Sequence, residues 1–378
     1  PSRAAMCGIA TSATQARLFA RKRKRSKVAV ALEPRDAQDH GLSDHEGEVS
    51  MSNLSHRGLA ALIVAFTIAA IGIASVPAHA QQKPVIKVSS LTLPVFNPLV
   101  WNIMKARGFD TKNGFELDAK AYPSISAFYA AFATGETDVL IGGPTILQKL
   151  YQEGVPVRII GTGFTLADLV IFTKNDKIKS LADLKGKQLA VDMGGSQFQV
   201  TKMYSAAKGL DLGRDIIVVN ANFAVARAQL EADRVDAALV IEPLASIILK
   251  QNPDWKVIFN GAEGWKEITG QEGWEIVTAM RADAIAKYPD APKMLIAALQ
   301  DVAQFMKSDT AEADKIANET LKLPPGILTA ALASNRLQMV IQPAWDPAVS
   351  KSITDMMERA VKAGFYEKMP DEKIIYSP

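Results

Sequence analysis

The chain has 378 residues, with 43 Lys and Arg against 40 Asp and Glu and a formal net charge of +3. All four histidines (His40, His45, His56, His79), the single Cys7, ten of the basic and six of the acidic residues fall in residues 1–80, so the remainder carries 33 bases and 34 acids. That remainder excludes Ser-His-Asp or Cys-His catalysis and imidazole or thiolate metal sites, needs no disulfide, and offers no basic excess for a nucleic acid.

Residues 1–50 lack helical or strand period and read as an upstream or disordered segment, in spite of the basic run Arg21-Lys22-Arg23-Lys24-Arg25. From Met51 the chain reads as a signal peptide over residues 51–80. His56 and Arg57 form a short n-region, Leu59 to Val76 is an uncharged apolar core, and Ala78-His79-Ala80 is a small-x-small cleavage site after Pro77. Cleavage after Ala80 would deliver the rest to the periplasm. A retained transmembrane anchor is the other reading, because the apolar core is long for a signal.

The part from Gln81 exceeds what one hydrophobic core usually serves, so two lobes are expected. Strands are predicted at Val85–Ser90, Phe115–Tyr122, Asp138–Ile141, Val157–Gly161 and Leu169–Lys174, with helices at Asn97–Arg107, Ser124–Thr134 and Thr145–Glu153. A second series follows: strands Gln188–Val191, Ile216–Asn220, Asp236–Val240 and Lys256–Phe259, and helices Gln197–Lys208, Ala224–Ala232 and Ala245–Lys250. After a loop, Glu275–Met280 is the last strand; the rest is helical, broken by Pro289, Pro324-Pro325 and Pro343. Such alternation implies α/β lobes with parallel sheets, joined here by crossing strands at Leu169–Lys174 and Glu275–Met280. Ligands of open α/β sheets sit beyond the carboxyl ends of the strands, which both lobes would turn toward a shared cleft.

Several segments, in order and at matching spacing, carry a family likeness. PLVWNIMKARGF with KNGFELDAKAYPS, then FATGETDVLIGGPT, IKSLADLKGKQLAVDMGGS and QLEADRVDAALVIEPLAS cover most of Val85–Ile276. Together they resemble the periplasmic substrate-binding proteins of ABC importers, in the sulfonate, taurine, nitrate and thiamine-precursor branch. The resemblance implies a two-lobe venus-flytrap (type II) fold: residues 83–173 and 274–378 in the first lobe, with C-terminal helices, and 174–273 in the second. It also implies a receptor that takes a small organic anion, sulfonate- or carboxylate-like, in the interlobe cleft and delivers it to a membrane permease. A monomer without cofactor, metal or nucleic-acid partner is expected.

The candidate ligand contacts each have a structural alternative. Thr92, Leu93 and Phe96 follow the first strand and line the cleft or a solvent-facing loop. Ser124 contacts ligand or only caps a helix. Gly142, Gly143 and Thr145, and again Gly194, Gly195, Ser196 and Gln197, stand where a strand runs through glycines into a helix. Bare N–H groups there suit an anion, and a plain strand-ending turn explains them as well. Phe164 and Trp274 wall the cleft or fill core. Glu242, at the end of an apolar strand, accepts a hydrogen bond from a ligand amine or ring N–H, or from a structural donor. No arginine falls securely in the cleft loops, which sits uneasily with a strongly anionic ligand. An enzyme on the same two-lobe fold, of the pyrimidine-precursor or menaquinone-pathway type, is the competing function. It would want titratable groups in the cleft.

Overall fold

Two five-stranded mixed sheets organise the computed structural model, which describes residues 83–93 and 95–378. The segment read as upstream (residues 1–50) and the signal peptide (residues 51–80) lie outside the described residues. The first sheet has the order β2-β1-β3-β10-β4, from β1 (Val85–Leu91), β2 (Glu116–Tyr122), β3 (Val139–Gly142), β4 (Val157–Thr165) and β10 (Trp274–Arg281). The second has the order β7-β6-β8-β5-β9, from β5 (Val170–Thr173), β6 (Gln188–Val191), β7 (Ile217–Asn220), β8 (Ala237–Val240) and β9 (Lys256–Asn260). Within each sheet the first three strands pair in parallel: β1 with β2 and β3, β6 with β7 and β8. All four residues of β3 and of β8 are buried, which is why both read as unbroken apolar runs.

The strands expected to cross between lobes have another role. β5 runs antiparallel to β8 and β9, and β10 antiparallel to β3 and β4, so each is an interior strand of its own sheet. The chain instead passes to the second sheet through the short turn Leu166–Asp168, where the Thr165 hydroxyl accepts from the Ala167 N–H. It returns through residues 270–273. Val170–Thr173 therefore belongs with the second sheet, a few residues earlier than the boundary expected after residue 173.

Local signals explain most helices. Ser124 accepts from the Ala127 N–H and Gly135 takes the left-handed conformation (φ 80°), bounding helix Ile125–Thr134. One helix lies where the sequence reads as a loop. Gly261–Thr269 is capped by Asn260, whose side-chain oxygen accepts from Ala262 and Glu263. Its glycines serve close packing: a Cβ at Gly261 would stand 2.6 Å from the Leu166 carbonyl oxygen, and one at Gly264 would overlap the Phe259 ring.

After helices Ala291–Ser308, Thr310–Leu321 and Ile327–Ala333, an extended strip lies along the edge of β4. Thr165 N–H donates to Gln338, Val340 to Gly163, Thr162 to Gln342 and Ala344 to Ile160, over 2.9–3.1 Å. The strip occupies hydrogen bonds that a bare edge strand would expose, and it extends β4 to Thr165. Among the described residues no helix is long and apolar enough to cross a membrane.

Candidate functional site

The carboxyl ends of the parallel strands of both sheets converge on one partly open cavity of about 70 Å³. From the first sheet come Leu91, Leu93, Phe96, Ile141, Gly142, Phe164 and Ile276; the second supplies Gly195, Ser196, Gln197, Phe223, Ile241 and Glu242. The helix Ile125–Thr134 adds Phe128 and Tyr129, whose rings meet edge-on with centroids 5.2 Å apart. The wall is thus mostly apolar and aromatic.

Its charged residues, among those described, are all acidic. Asp168, from the crossing turn, Glu275, at the start of β10, and Glu242, just past β8, all line the cavity and are all buried. No Lys or Arg lines it. Glu242 is neutralised from behind: Arg336 Nε donates to its Oε1 at 2.6 Å, and the Ser246 N–H and hydroxyl donate to it at 3.1 and 3.0 Å. Glu275 accepts from the Gln197 side-chain amide, and its backbone carbonyl accepts from the Ser196 hydroxyl at 3.4 Å.

Asp168 has no such cation. Burial, reinforced by Glu275 and Glu242 nearby, pushes its carboxyl well above the usual carboxylate range. Burial also raises Glu275. Each is therefore harder to ionise than a solvated carboxyl, since two adjacent buried carboxylates resist ionising together. Burial likewise raises the Tyr129 hydroxyl, which keeps its proton while accepting from the Gly143 N–H at 2.9 Å.

Three buried side-chain acceptors on this wall have no protein partner: Asn97 Oδ1, Asp168 Oδ1 and Gln197 Oε1. Asn97 spends its amide on the Ile141 carbonyl at 3.3 Å, which leaves the oxygen turned away from that bond. The site is therefore short of donors.

Of the residues singled out in sequence, Leu93, Phe96, Gly142, Phe164, Gly195, Ser196, Gln197 and Glu242 lie on the cavity wall. The others do not. Thr92 is exposed and bonds to the Tyr122 carbonyl, and Ser124 caps its helix. Gly194 bonds to Asp192, and buried Trp274 donates to Ser352 at 2.8 Å. Thr145 is buried in its helix, away from the wall. Gly143 sits behind the wall, where a Cβ would overlap Ser196 Cβ. It lets the two glycine-to-helix turns touch directly. The anion beside the second helix start is thus the chain's own Glu275, joined there by Ser196 and Gln197.

Sequence reasoning missed Asn97, Phe128, Tyr129, Asp168, Phe223 and Glu275. The available signal was the one that flagged Glu242: a carboxylate abutting an apolar strand. Among the described residues no group of His, Cys, Asp and Glu could hold a metal ion.

Residues 101–313 match the family described as NMT1/THI5 like, over more than half of the chain. The chain belongs to that family. Curated relatives are named as binding proteins. A Brucella abortus protein that carries the name of a binding protein is 23% identical over 278 residues, covering 72% of this chain and 84% of its own. The arginine-binding extracellular protein ArtP of Bacillus subtilis is 23% identical over 205 residues, covering 52% of this chain and 76% of its own. Among solved structures, the aliphatic sulphonate binding protein SsuA of Escherichia coli superposes with a TM-score of 0.66 at 18% identity, over 78% of this chain and 92% of that one. SsuA of Xanthomonas axonopodis pv. citri, bound to MOPS, gives 0.64 at 18%, over 79% and 99%. The fold is that of the periplasmic binding proteins.

Proposed function

We propose that the protein is the extracytoplasmic receptor of an ABC importer, capturing a small organic solute between its two sheets and handing it to a membrane permease. The family, the fold and a cavity at the strand ends support this reading. Binding rather than turnover suits a cavity lined, among the described residues, by neither His nor Cys.

We infer further that the solute has an apolar or aromatic body and a nitrogen head rich in N–H donors. The observation that carries this is the set of unpartnered acceptors, Asn97 Oδ1, Asp168 Oδ1 and Gln197 Oε1, on a wall without Lys or Arg. An unpaired buried acceptor costs about 1–3 kcal/mol, which an amine or amidine would recover and a sulfonate would not. A second negative charge about 4 Å from an ionised carboxylate would cost roughly 4 kcal/mol near a protein surface, about three powers of ten in affinity. The anion expected from the family resemblance finds no cation here. One relative, 23% identical over 205 residues, is itself named for arginine, a guanidinium-bearing solute, which is in keeping with this reading.

A second reading is kept by one observation. Asp168 and Glu275, two buried carboxyls on one cavity wall whose titration burial pushes upward, have the makings of a general acid and base on the same fold. It predicts consumption of the solute.

A thermal-shift panel of matched pairs tests both: benzamidine against benzenesulfonate, and agmatine against taurine. The nitrogen members should raise the melting temperature by mass action and be recovered unchanged, while the sulfonates leave it alone. Stabilisation by the sulfonates only would refute the donor-rich solute, and chemical conversion of a bound amine would favour the enzyme.

A further inference from the structure

Glu242 and Arg336 belong to opposite sides of the cavity. Glu242 follows β8 of the second sheet and is fully buried on the cavity wall. Arg336 stands two residues before Gln338, where the C-terminal strip starts its hydrogen bonds to β4 of the first sheet. The 2.6 Å ion pair therefore spans the two sheets. Arg336 also donates to the Ser246 hydroxyl at 3.2 Å, and that hydroxyl bonds back to Glu242 at 3.0 Å. Two further contacts cross at this place. Lys250 Nζ donates to the Pro325 carbonyl at 3.3 Å, and Ile247 packs against the core of the first sheet. Among the described residues the backbone itself crosses at the turn Leu166–Asp168 after β4 and near Gly273 before β10.

We propose that Arg336 is an interlobe latch: by engaging Glu242 and Ser246 it holds the cleft shut, and this pair must part for a solute to enter or leave. The cavity holds only about 70 Å³, so a solute of ring size needs an opening motion. The pair is suited to that role because its stability depends on closure. With Arg336 in place, the buried carboxylate is paired and fully hydrogen-bonded. Without it, Glu242 is an uncompensated buried charge, and opening the cleft to water is the direct relief. The proposal does not depend on the chemical class of the solute.

Small-angle X-ray scattering of the protein without added solute tests it. Wild type should scatter as the closed arrangement. Arg336→Gln should raise the radius of gyration, and Arg336→Lys, which keeps the charge but loses the fork, should fall between. The double variant Glu242→Gln/Arg336→Gln leaves no buried charge unpaired. It should regain thermal stability yet scatter as open as Arg336→Gln, which separates a latch from a merely structural pair. Should Arg336→Gln fail to fold, the double variant carries the test by the same readout. A folded Arg336→Gln or double variant that scatters like wild type overturns the proposal, as does a wild type that already scatters as open.

Discussion

The side-chain amide of Gln197 donates to the carboxylate of Glu275 across the cleft, joining the first turn of helix Ser196–Ala207 to the start of β10. The Oε1 of Gln197 stays buried and without a partner. One residue thereby ties the two sheets together and keeps an unsatisfied acceptor beside the cavity.

Gln197→Leu should lower stability by about 1–3 kcal/mol, because Glu275 keeps its burial and loses a donor. Gln197→Glu should cost more at pH 7 than at pH 4, since it sets a further carboxylate against a buried one. Urea unfolding of both variants at the two pH values checks the magnitude and the sign.

Asp168 gives the protein a pH dependence. Its folded-state value is raised by burial and by Glu275, so between the ordinary Asp value and that raised value the folded state binds more protons than the unfolded one. Stability then falls as pH rises through this window, and the loss is complete above it. Asp168→Asn should flatten that slope and make the variant more stable than wild type at high pH. Melting temperatures from pH 4 to pH 9 decide it; parallel curves for the two proteins would mean that Asp168 titrates normally.

Much of this fold was legible. The helix boundaries at Ser124 and Gly135, and the apolar runs of β3 and β8, follow from local rules that tertiary contacts merely confirm. The helix Gly261–Thr269 was hidden because Gly261 and Gly264, which suggest a loop, answer to the Leu166 carbonyl and the Phe259 ring. The site was half legible. Gly195, Ser196 and Gln197 follow a recognisable strand-glycine-helix pattern, but the charge that meets them comes from Glu275, far along the chain. Asp168 and Glu275 each look like an ordinary polar residue at the edge of an apolar segment. Only the two crossings between sheets bring them together.

Gly143 makes the approach of the two helix starts possible. A Cβ there would overlap Ser196 Cβ and lie 2.5 Å from its Oγ, on opposite sides of the cleft. Gly143→Ala should cost about 1–3 kcal/mol, as overpacking usually does. Ser196→Gly in the same chain should return most of the loss. A double-mutant cycle by denaturant unfolding measures the coupling, and additive effects would show that the two turns do not touch.

Trp274, weighed as a cleft wall, is buried beside helix Pro347–Lys362, where its indole N–H donates to Ser352 and its backbone N–H to Met356 Sδ at 3.2 Å. Trp274→Phe should therefore lower stability by about 1 kcal/mol for the lost bond and leave solute affinity unchanged. Thermal unfolding and titration of the same preparation separate the two effects.

The central claim is that the cavity is built for N–H donors, and isothermal titration of wild type with benzamidine and then benzenesulfonate at pH 7 tests it most directly, because the two share a ring and differ in the head. The account predicts that benzamidine binds, that Asp168→Asn weakens it at least tenfold, or about 1.4 kcal/mol, and that benzenesulfonate gives no heat of binding. Binding of the sulfonate with no heat from the amidine would contradict it.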